Sequence, residues 1–280
     1  MKTLYISDLD GTLLQPNAEL SSTTKRILNE MIEKGLLFSI ATARTIASVK
    51  SILADVNINL PIVLMNGACI YDIDKEEYIN IETLDTRSRK LLLDLIKDNN
   101  LKGFAYVIKN NHLFTYFEDI DIKPLQLFHD ERVNKYKKPF TKVDSFYQLA
   151  QEPLLYFTLI DKKENLDFVY DLIKDAPDLN CVLYKDNYAT DTWNLEIYSK
   201  KASKYHAVNF LRNYLNLDRV VCFGDNRNDI PLFRASDYKI AVANAVDELK
   251  IKSDTIIKSN TQDAVALWLM ENGIVSSIQI

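Results

Sequence analysis

Short apolar runs alternate with amphipathic stretches through the first 82 residues and again from residue 200 onward. Residues 3–7 (TLYIS), 36–41 (LLFSIA) and 61–65 (PIVLM) are compact apolar runs, the pattern of buried strands. Between them, Ile27, Leu28, Met31 and Ile32 share one face of a helix that Ser21 or Ser22 is placed to cap and Gly35 to end. Ile46, Val49, Ile52 and Leu53 mark the inward face of a second helix, and Asn66-Gly67 signals a turn after the third strand. The rhythm returns with a helix over 203–215, strand 219–223 (RVVCF), a short helix near 229–235, strands 238–242 and 255–258, and a helix over 263–271. The tail 273–280 fits a strand or a frayed end equally. Apolar strands linked by helices predict an α/β core, a doubly wound (Rossmann-like) parallel sheet with helices on both faces.

The middle of the chain has a different pattern. A helix over 86–98 leads into two β-rich runs, YVIKN and HLFTYFE, separated by Asn110-Asn111, which reads as a hairpin. A helical stretch near 123–134, strand 154–161, helix 164–176 and strands 181–186 and 192–198 follow. Adjacent strands between helices fit an antiparallel α+β unit. The expected organisation is a discontinuous core, 1–82 and 200–280, interrupted by an inserted α+β cap over 83–199. No repeat, low-complexity segment or Pro/Gly/Ser-rich linker marks the joins.

Composition narrows the function classes. A chain of 280 residues with 47% hydrophobic content can fill a substantial core. The 34 basic and 39 acidic residues give a net charge of −5, which argues against nucleic acid or an anionic membrane as a partner. The three cysteines, Cys69, Cys181 and Cys222, form no CxxC pair and no disulfide framework. The apolar start is cut by Asp8, unlike a signal peptide, and no run approaches the roughly 18 residues of a membrane span. The expected setting is reducing and cytoplasmic.

Chemistry collects at four places, each at a strand end or a helix start. Asp8-Leu9-Asp10-Gly11-Thr12 follows the first strand; residues two apart on an extended chain point the same way, so Asp8 and Asp10 face one site. Taken alone, such a D-x-D is more often a solvated turn. An EF-hand reading fails, because Thr12 and Leu13 stand where a calcium loop needs Asp/Asn and Gly. Ala41-Thr42-Ala43-Arg44 ends the second strand; a hydroxyl and N–H groups at a helix start hold phosphate, although a plain Thr cap is commoner. Ser203-Lys204 begins a helix, where a lysine is usually a solvated charge but can instead steady a phosphoryl group. Gly224-Asp225-Asn226-Arg227-Asn228-Asp229 follows strand 219–223. Asp225 is placed to complete an oxygen-rich cation site with Asp8 and the carbonyl of Asp10, a donor set that suits magnesium. Asn228 and Asp229 are candidates to orient waters, ligands or Lys204 around it. His112, His129 and His206 lack metal-ligand spacing.

In this order the motifs DLDGTLL (8–14), ATAR (41–44), NGA (66–68), SK (203–204), GDNRND (224–229) and VANA (242–245) resemble the haloacid-dehalogenase superfamily, in its Cof-type group with a large inserted cap. The resemblance implies a magnesium-dependent phosphatase in which Asp8 is the nucleophile and a metal ligand. Asp10 would be the acid/base and give its carbonyl to the metal. Leu9 (through its N–H), Thr42, Lys204 and Asn228 would hold phosphate, and Asp225 would complete the Mg²⁺ site with Asp229 outside it. Ala43 stands where the family usually has Gly, Lys201-Ala202 precede Lys204 where Gly is common, and Val242-Ala243 replace Met-Gly. Arg44 either reaches a substrate or pairs with a carboxylate, the second being the favoured reading. The expected substrate is a small phosphate monoester such as a sugar phosphate. A phosphomutase on the same core and a phospho-accepting signalling domain are the alternatives.

Overall fold

The computed structural model describes residues 1–185 and 192–273. The chain divides into two compact units, Met1–Asn80 with Ser203–Ile280, and Ile81–Ala202. The first unit opens with β1 (Thr3–Ser7), all of it buried. Next comes α1 (Ser22–Glu33), whose N-cap Ser21 accepts from the Thr24 N–H. β2 (Leu37–Ile40) and α2 (Ile46–Ile52) follow. The third apolar run forms only the short β3 (Ile62–Leu64) and departs from expectation. A single parallel bridge, Ala41 to Val63, ties it to the chain after β2. Its ladder runs instead antiparallel to β4 (Cys69–Asp72), in a small sheet that continues to β5 (Glu77–Ile81). The turn between β3 and β4 explains this: Met65, Asn66 and Gly67 all have positive φ, which reverses the chain at once and leaves no room for a crossover helix.

The second unit contains α3 (Thr86–Asp98), the hairpin β6 (Gly103–Lys109) and β7 (His112–Phe117), α4 (Lys123–Tyr136) and the two-residue β8 (Thr141–Lys142). β9 (Leu154–Asp161), α5 (Lys163–Ile173), β10 (Leu179–Lys185) and β11 (Trp193–Ser199) complete it. The strands form one sheet in the order β10-β11-β9-β6-β7-β8, antiparallel except for the β7–β8 pair. Strand alternation gives this sheet two unlike faces. Ala105, Val107, Phe157, Leu159, Leu195 and Ile197 join Leu92, Leu93 and Ile96 of α3 and Leu166, Val169 and Ile173 of α5 in an apolar core. Phe104, Tyr106, Tyr156, Thr158, Glu196 and Tyr198 occupy the alternate positions and are buried as well. The last residue of predicted strand 181–186 and nearly all of the 273–280 tail fall outside the described residues.

The chain re-enters the first unit through α6 (Lys204–Tyr214), β12 (Arg219–Gly224), α7 (Ile230–Ala235) and β13 (Tyr238–Val242). α8 (Asp247–Ile251), which the sequence pattern did not predict, β14 (Thr255–Ile257) and α9 (Ala264–Asn272) follow. Five strands make an all-parallel sheet in the order β14-β13-β12-β1-β2. Trp268 of α9 lies against the rings of Tyr5, Phe223 and Tyr238, so α9 crosses the middle of that sheet. From β1 the chain winds toward β2 on one side, and from β12 toward β13 on the other. The loops leaving β1 and β12 therefore part, and the crevice where strand order reverses is where open α/β sheets bind ligands. Ser7 pairs with Phe223, so Asp8 and Asp225 emerge at this crevice nearly level. No helix among the described residues is long and apolar enough to cross a membrane.

Gly67 sets the position of α6. It has φ +95°, and a Cβ there would lie 2.3 Å from the Ser203 carbonyl, immediately before Lys204. Gly67→Ala is expected to cost about 2 kcal/mol or more, from positive-φ strain plus the clash. Urea unfolding reads this directly, and a wild-type midpoint would show that the turn does not fix the start of α6.

Candidate active site

After β1 the chain makes one wide turn, closed by Leu14 N–H donating to Leu9 O at 2.9 Å. Leu9, Leu13 and Leu14 anchor the turn in the core. Gly11, at φ +78°, supplies the left-handed step. A Cβ on Gly11 would sit 2.3 Å from Asp225 Oδ2, so the bare glycine is what lets the two acidic loops meet. Thr12 Oγ1 donates to Asp225 Oδ1 at 2.8 Å, and Asn244 Nδ2 to Gly11 O at 2.7 Å, which fastens the loops after β1, β12 and β13 to one another.

Lys204 is the hub. It is 1% exposed, not a solvated surface charge, and its Nζ lies 2.6 Å from Asp8 Oδ1 and 2.7 Å from Asp229 Oδ1. A cation in the first turn of a helix opposes the helix dipole, so α6 begins with Lys204 only because two carboxylates face it. Asp229 is fully engaged: its second oxygen accepts from the N–H groups of Asp225 and Asn226, at 3.0 and 3.1 Å. It works as a bracket for the loop and the lysine.

Charge balance shows what is missing. Three carboxylates, Asp8, Asp225 and Asp229, offer ligand oxygens all within 4.8 Å of one another, and one ammonium answers them. Burial, reinforced by Asp229, pushes the Asp225 carboxyl up to about 7, against the pull of Thr12 and Lys204. Burial raises Asp8 too; Lys204 opposes this, and Asp229 and Asp225 add to it. Lys204 is raised in turn, since Asp229 and Asp8 outweigh its own desolvation. Asp8 and Asp225 each keep one oxygen, Oδ2, that receives no hydrogen bond among the described residues. Two surplus negative charges and two uncommitted carboxylate oxygens fit a divalent, oxygen-seeking cation.

The remaining candidates surround this cluster with different partners. Asp10 does not stand free beside Asp8: Arg44 grips its carboxylate with both Nε and Nη2, each at 2.7 Å. Thr42 is buried at the end of β2, and its Oγ1 accepts from the Arg44 N–H at 3.1 Å. It is not the helix cap that the sequence offered as the commoner reading, since α2 is preceded by Thr45. Asn228 Nδ2 donates to Asn66 Oδ1 at 3.3 Å, and Asn66 N–H bonds Thr42 O at 3.0 Å. Leu9 turns its side chain into the core, and its N–H stands in the first turn after Asp8, where helix-start donors are left over. Asn66, Thr12 and Asn244 lie in the sequence motifs without a pattern that marks them, and only the fold shows that they tie the loops together.

A lysine-clamped carboxylate at the switch point of a doubly wound sheet, in a chain carrying a large inserted α+β unit, defines an α/β enzyme that works on a charged ligand. The chain belongs to the haloacid dehalogenase-like hydrolases, whose sequence profile it matches over residues 5–269, and it is a phosphatase of phosphoric monoesters. It is 27% identical to the 5-amino-6-(5-phospho-D-ribitylamino)uracil phosphatase YwtE of Bacillus subtilis, over 96% of this chain and 97% of that one. A haloacid dehalogenase-like hydrolase of Bacteroides thetaiotaomicron has the same fold at a TM-score of 0.81, with 20% identity, 98% of this chain and 100% of that one covered. The subclass IIB sugar phosphatase BT4131 matches at a TM-score of 0.74 and 20% identity, over 98% and 99% of the two chains.

Breaking one arm of a buried ion pair strands the other charge, at about 3–5 kcal/mol. Lys204→Met is expected to lose stability on that scale in metal-free buffer, with added magnesium offsetting part of the loss. Chemical denaturation with and without the ion measures both effects. A wild-type midpoint in Lys204→Met would contradict the buried hub.

Proposed function

We propose that the protein hydrolyses small phosphate monoesters, sugar phosphates or similar metabolites, through a covalent aspartyl-phosphate on Asp8, with magnesium as cofactor. The observation that carries this reading is the Asp8 carboxylate, 5% exposed, held at one oxygen by Lys204 with its other oxygen uncommitted in an acid-rich crevice. Such a group is oriented, desolvated and poised to attack phosphorus. In the first step an Asp8 oxygen bonds to phosphorus and the ester P–O bond breaks. The departing alkoxide takes a proton from Asp10. In the second step Asp10 takes a proton from water as that water attacks the phosphorus of the acyl phosphate, which frees Asp8 and inorganic phosphate. Lys204, the Leu9 N–H, Thr42 and Asn228 hold the phosphoryl oxygens.

Magnesium, held by Asp8, Asp225 and the carbonyl of Asp10, supplies charge neutralisation between carboxylate and phosphate dianion when bound. The Arg44 pair fixes where the Asp10 carboxylate stands beside Asp8. The first step requires that carboxyl to leave Arg44 for the leaving oxygen. A relative named for a phosphoribityl compound and a structural neighbour named a sugar phosphatase support the substrate class. The inserted unit, which contains none of these residues, would choose among leaving groups. The free thiols of Cys69, Cys181 and Cys222 suit a reducing, cytoplasmic setting.

Asp8→Asn is expected to abolish phosphate release while the fold persists, because an amide is nearly isosteric but a poor nucleophile. Free phosphate, not an isomerised ester, is the expected product, and excess chelator should stop its formation. Near-wild-type rates in Asp8→Asn, or full activity in chelator, would remove the reading. Asp10→Asn should lose about 10²–10⁴ in rate on alkyl esters. On an aryl ester, whose leaving group needs no proton, the first step should be largely spared and the second remain slow. Equal losses on both ester types would count against Asp10 as acid and base.

A further inference from the structure

The turn that carries Asp10 is held from outside as much as from within. It runs from Leu9 to Leu13, with Asp10 extended at φ −72° and ψ 120° and Gly11 at φ +78°. Glycine takes positive and negative φ with nearly equal ease, so Gly11 gives the turn a hinge rather than a stop. Two carbonyls, one inside the turn and one just past it, accept from side-chain amides. Asn244 Nδ2 donates to Gly11 O and Asn260 Nδ2 to Leu14 O, both at 2.7 Å. Asn244 follows β13 and Asn260 follows β14, so the loops after the two outermost strands on one side of the sheet reach back to the loop after β1.

The two amides form a relay. Asn260 N–H donates to Asn244 Oδ1 at 3.0 Å, and Asn260 Oδ1 accepts from Ser259 Oγ at 3.1 Å. Each amide spends its donor on a carbonyl of the turn and its acceptor on the 259–260 segment, and flipping either would set oxygen against oxygen. Further bonds hold the segment itself. Gln15 Nε2 donates to Asn260 O at 3.1 Å and to Asp263 Oδ1 at 3.0 Å. The same Asp263 oxygen accepts from Ser21 Oγ at 2.6 Å and Thr24 Oγ1 at 3.1 Å. These donors keep Asp263 in the left-handed region, at φ +53°, which residues other than glycine seldom adopt. Asn260 is buried, whereas Asn244 is exposed. A bond from an exposed side chain adds little to global stability. This one nevertheless fixes the Gly11 carbonyl, one residue from the Asp10 carbonyl and two from the Leu9 N–H.

We propose that Asn244 and Asn260 are positioning residues for hydrolysis, which set the 9–14 turn so that the Asp10 carbonyl, the Asp10 carboxylate and the Leu9 N–H face the crevice beside Asp8. This rests on the phosphatase reading, in which those three groups serve the ion, the leaving oxygen and the phosphoryl group. In this role neither asparagine touches substrate or ion; each acts through the backbone that it holds. The competing view makes the relay a brace between the starts of α1 and α9 and the β1 loop, with no bearing on the chemistry.

Asn244→Ala separates the two views, because its exposed position spares the fold. Its urea midpoint is expected near that of the wild type. Its kcat on an activated aryl phosphate should fall about 10- to 100-fold, the effect of a displacement on the ångström scale, with KM changed much less. Two readouts need no turnover. Calorimetric titration with magnesium alone should show weaker binding, and deuterium exchange should quicken over residues 9–14 but not over α6. Asn244→Gln, which keeps the amide, should recover part of the lost kcat. Asn260→Ala should lose kcat on the same scale, and the double variant should be no worse than the worse single one, since either change breaks the same relay. A kcat within about twofold of wild type in both alanine variants overturns the proposal. So does a loss of kcat no larger than the loss of folded protein. If the wild type hydrolyses no ester, the phosphatase reading fails, and exchange over residues 9–14 decides whether the asparagines set the turn; unchanged exchange overturns that as well. If Asn260→Ala does not fold, Asn244→Ala and Asn244→Gln still give the answer.

Discussion

Burying carboxylates is expensive, and this fold buries Asp8 and Asp229 almost completely at the end of a parallel sheet. The Lys204 ammonium, within 2.7 Å of both, is what makes that possible. Much of the local architecture holds that one nitrogen in place. The left-handed turn at 65–67 presses against Ser203 and fixes the first turn of α6. Asp229 gathers the backbone of the β12 loop while it holds the lysine. Gly11 brings the β1 loop against Asp225. The hub leaves the cluster short of positive charge, and in the proposed function this shortage is what a cation and a phosphoryl group would exploit.

Much of this was legible because the sheet lies between helices. Strands buried on both faces read as unbroken apolar runs, so β1, β12 and β13 stood out with nearly correct limits, and the acidic motifs fell at their ends. The same signal misled at β3. An apolar run does not say which neighbour it will pair with, and three successive positive-φ residues turned the chain into β4 before it could join the main sheet as a full strand. α8 was missed because five residues are too few to show helical periodicity.

Charged residues were harder to place, for a physical reason. Whether a charge is solvated or buried depends on contacts distant in sequence. Arg44 finds Asp10 across 34 positions and Lys204 finds Asp8 across 196. No local pattern contains such distances, so Ser203-Lys204 taken alone reads more readily as a solvated charge than as a phosphate contact, and only the whole motif set tips it the other way. Lys138 shows the limit of this approach. It follows Lys135 and Lys137 in a stretch that reads as solvated surface, yet αL geometry at Lys137 folds its side chain back over Tyr106. The two unlike faces of the inserted sheet follow from simple alternation, but only the structure shows that the polar face is buried too.

The central claim is that a phosphoryl group passes through a covalent bond to Asp8. Rapid acid quenching of the enzyme mixed with a ³²P-labelled activated ester, followed by peptide mapping, tests it most directly. The account predicts a label that accumulates within one turnover, is released by hydroxylamine as an acyl phosphate, and maps to the peptide containing Asp8; Asp10→Asn should prolong its life. Phosphate release at the normal rate with no protein-bound label, or a label on any residue other than Asp8, would contradict it.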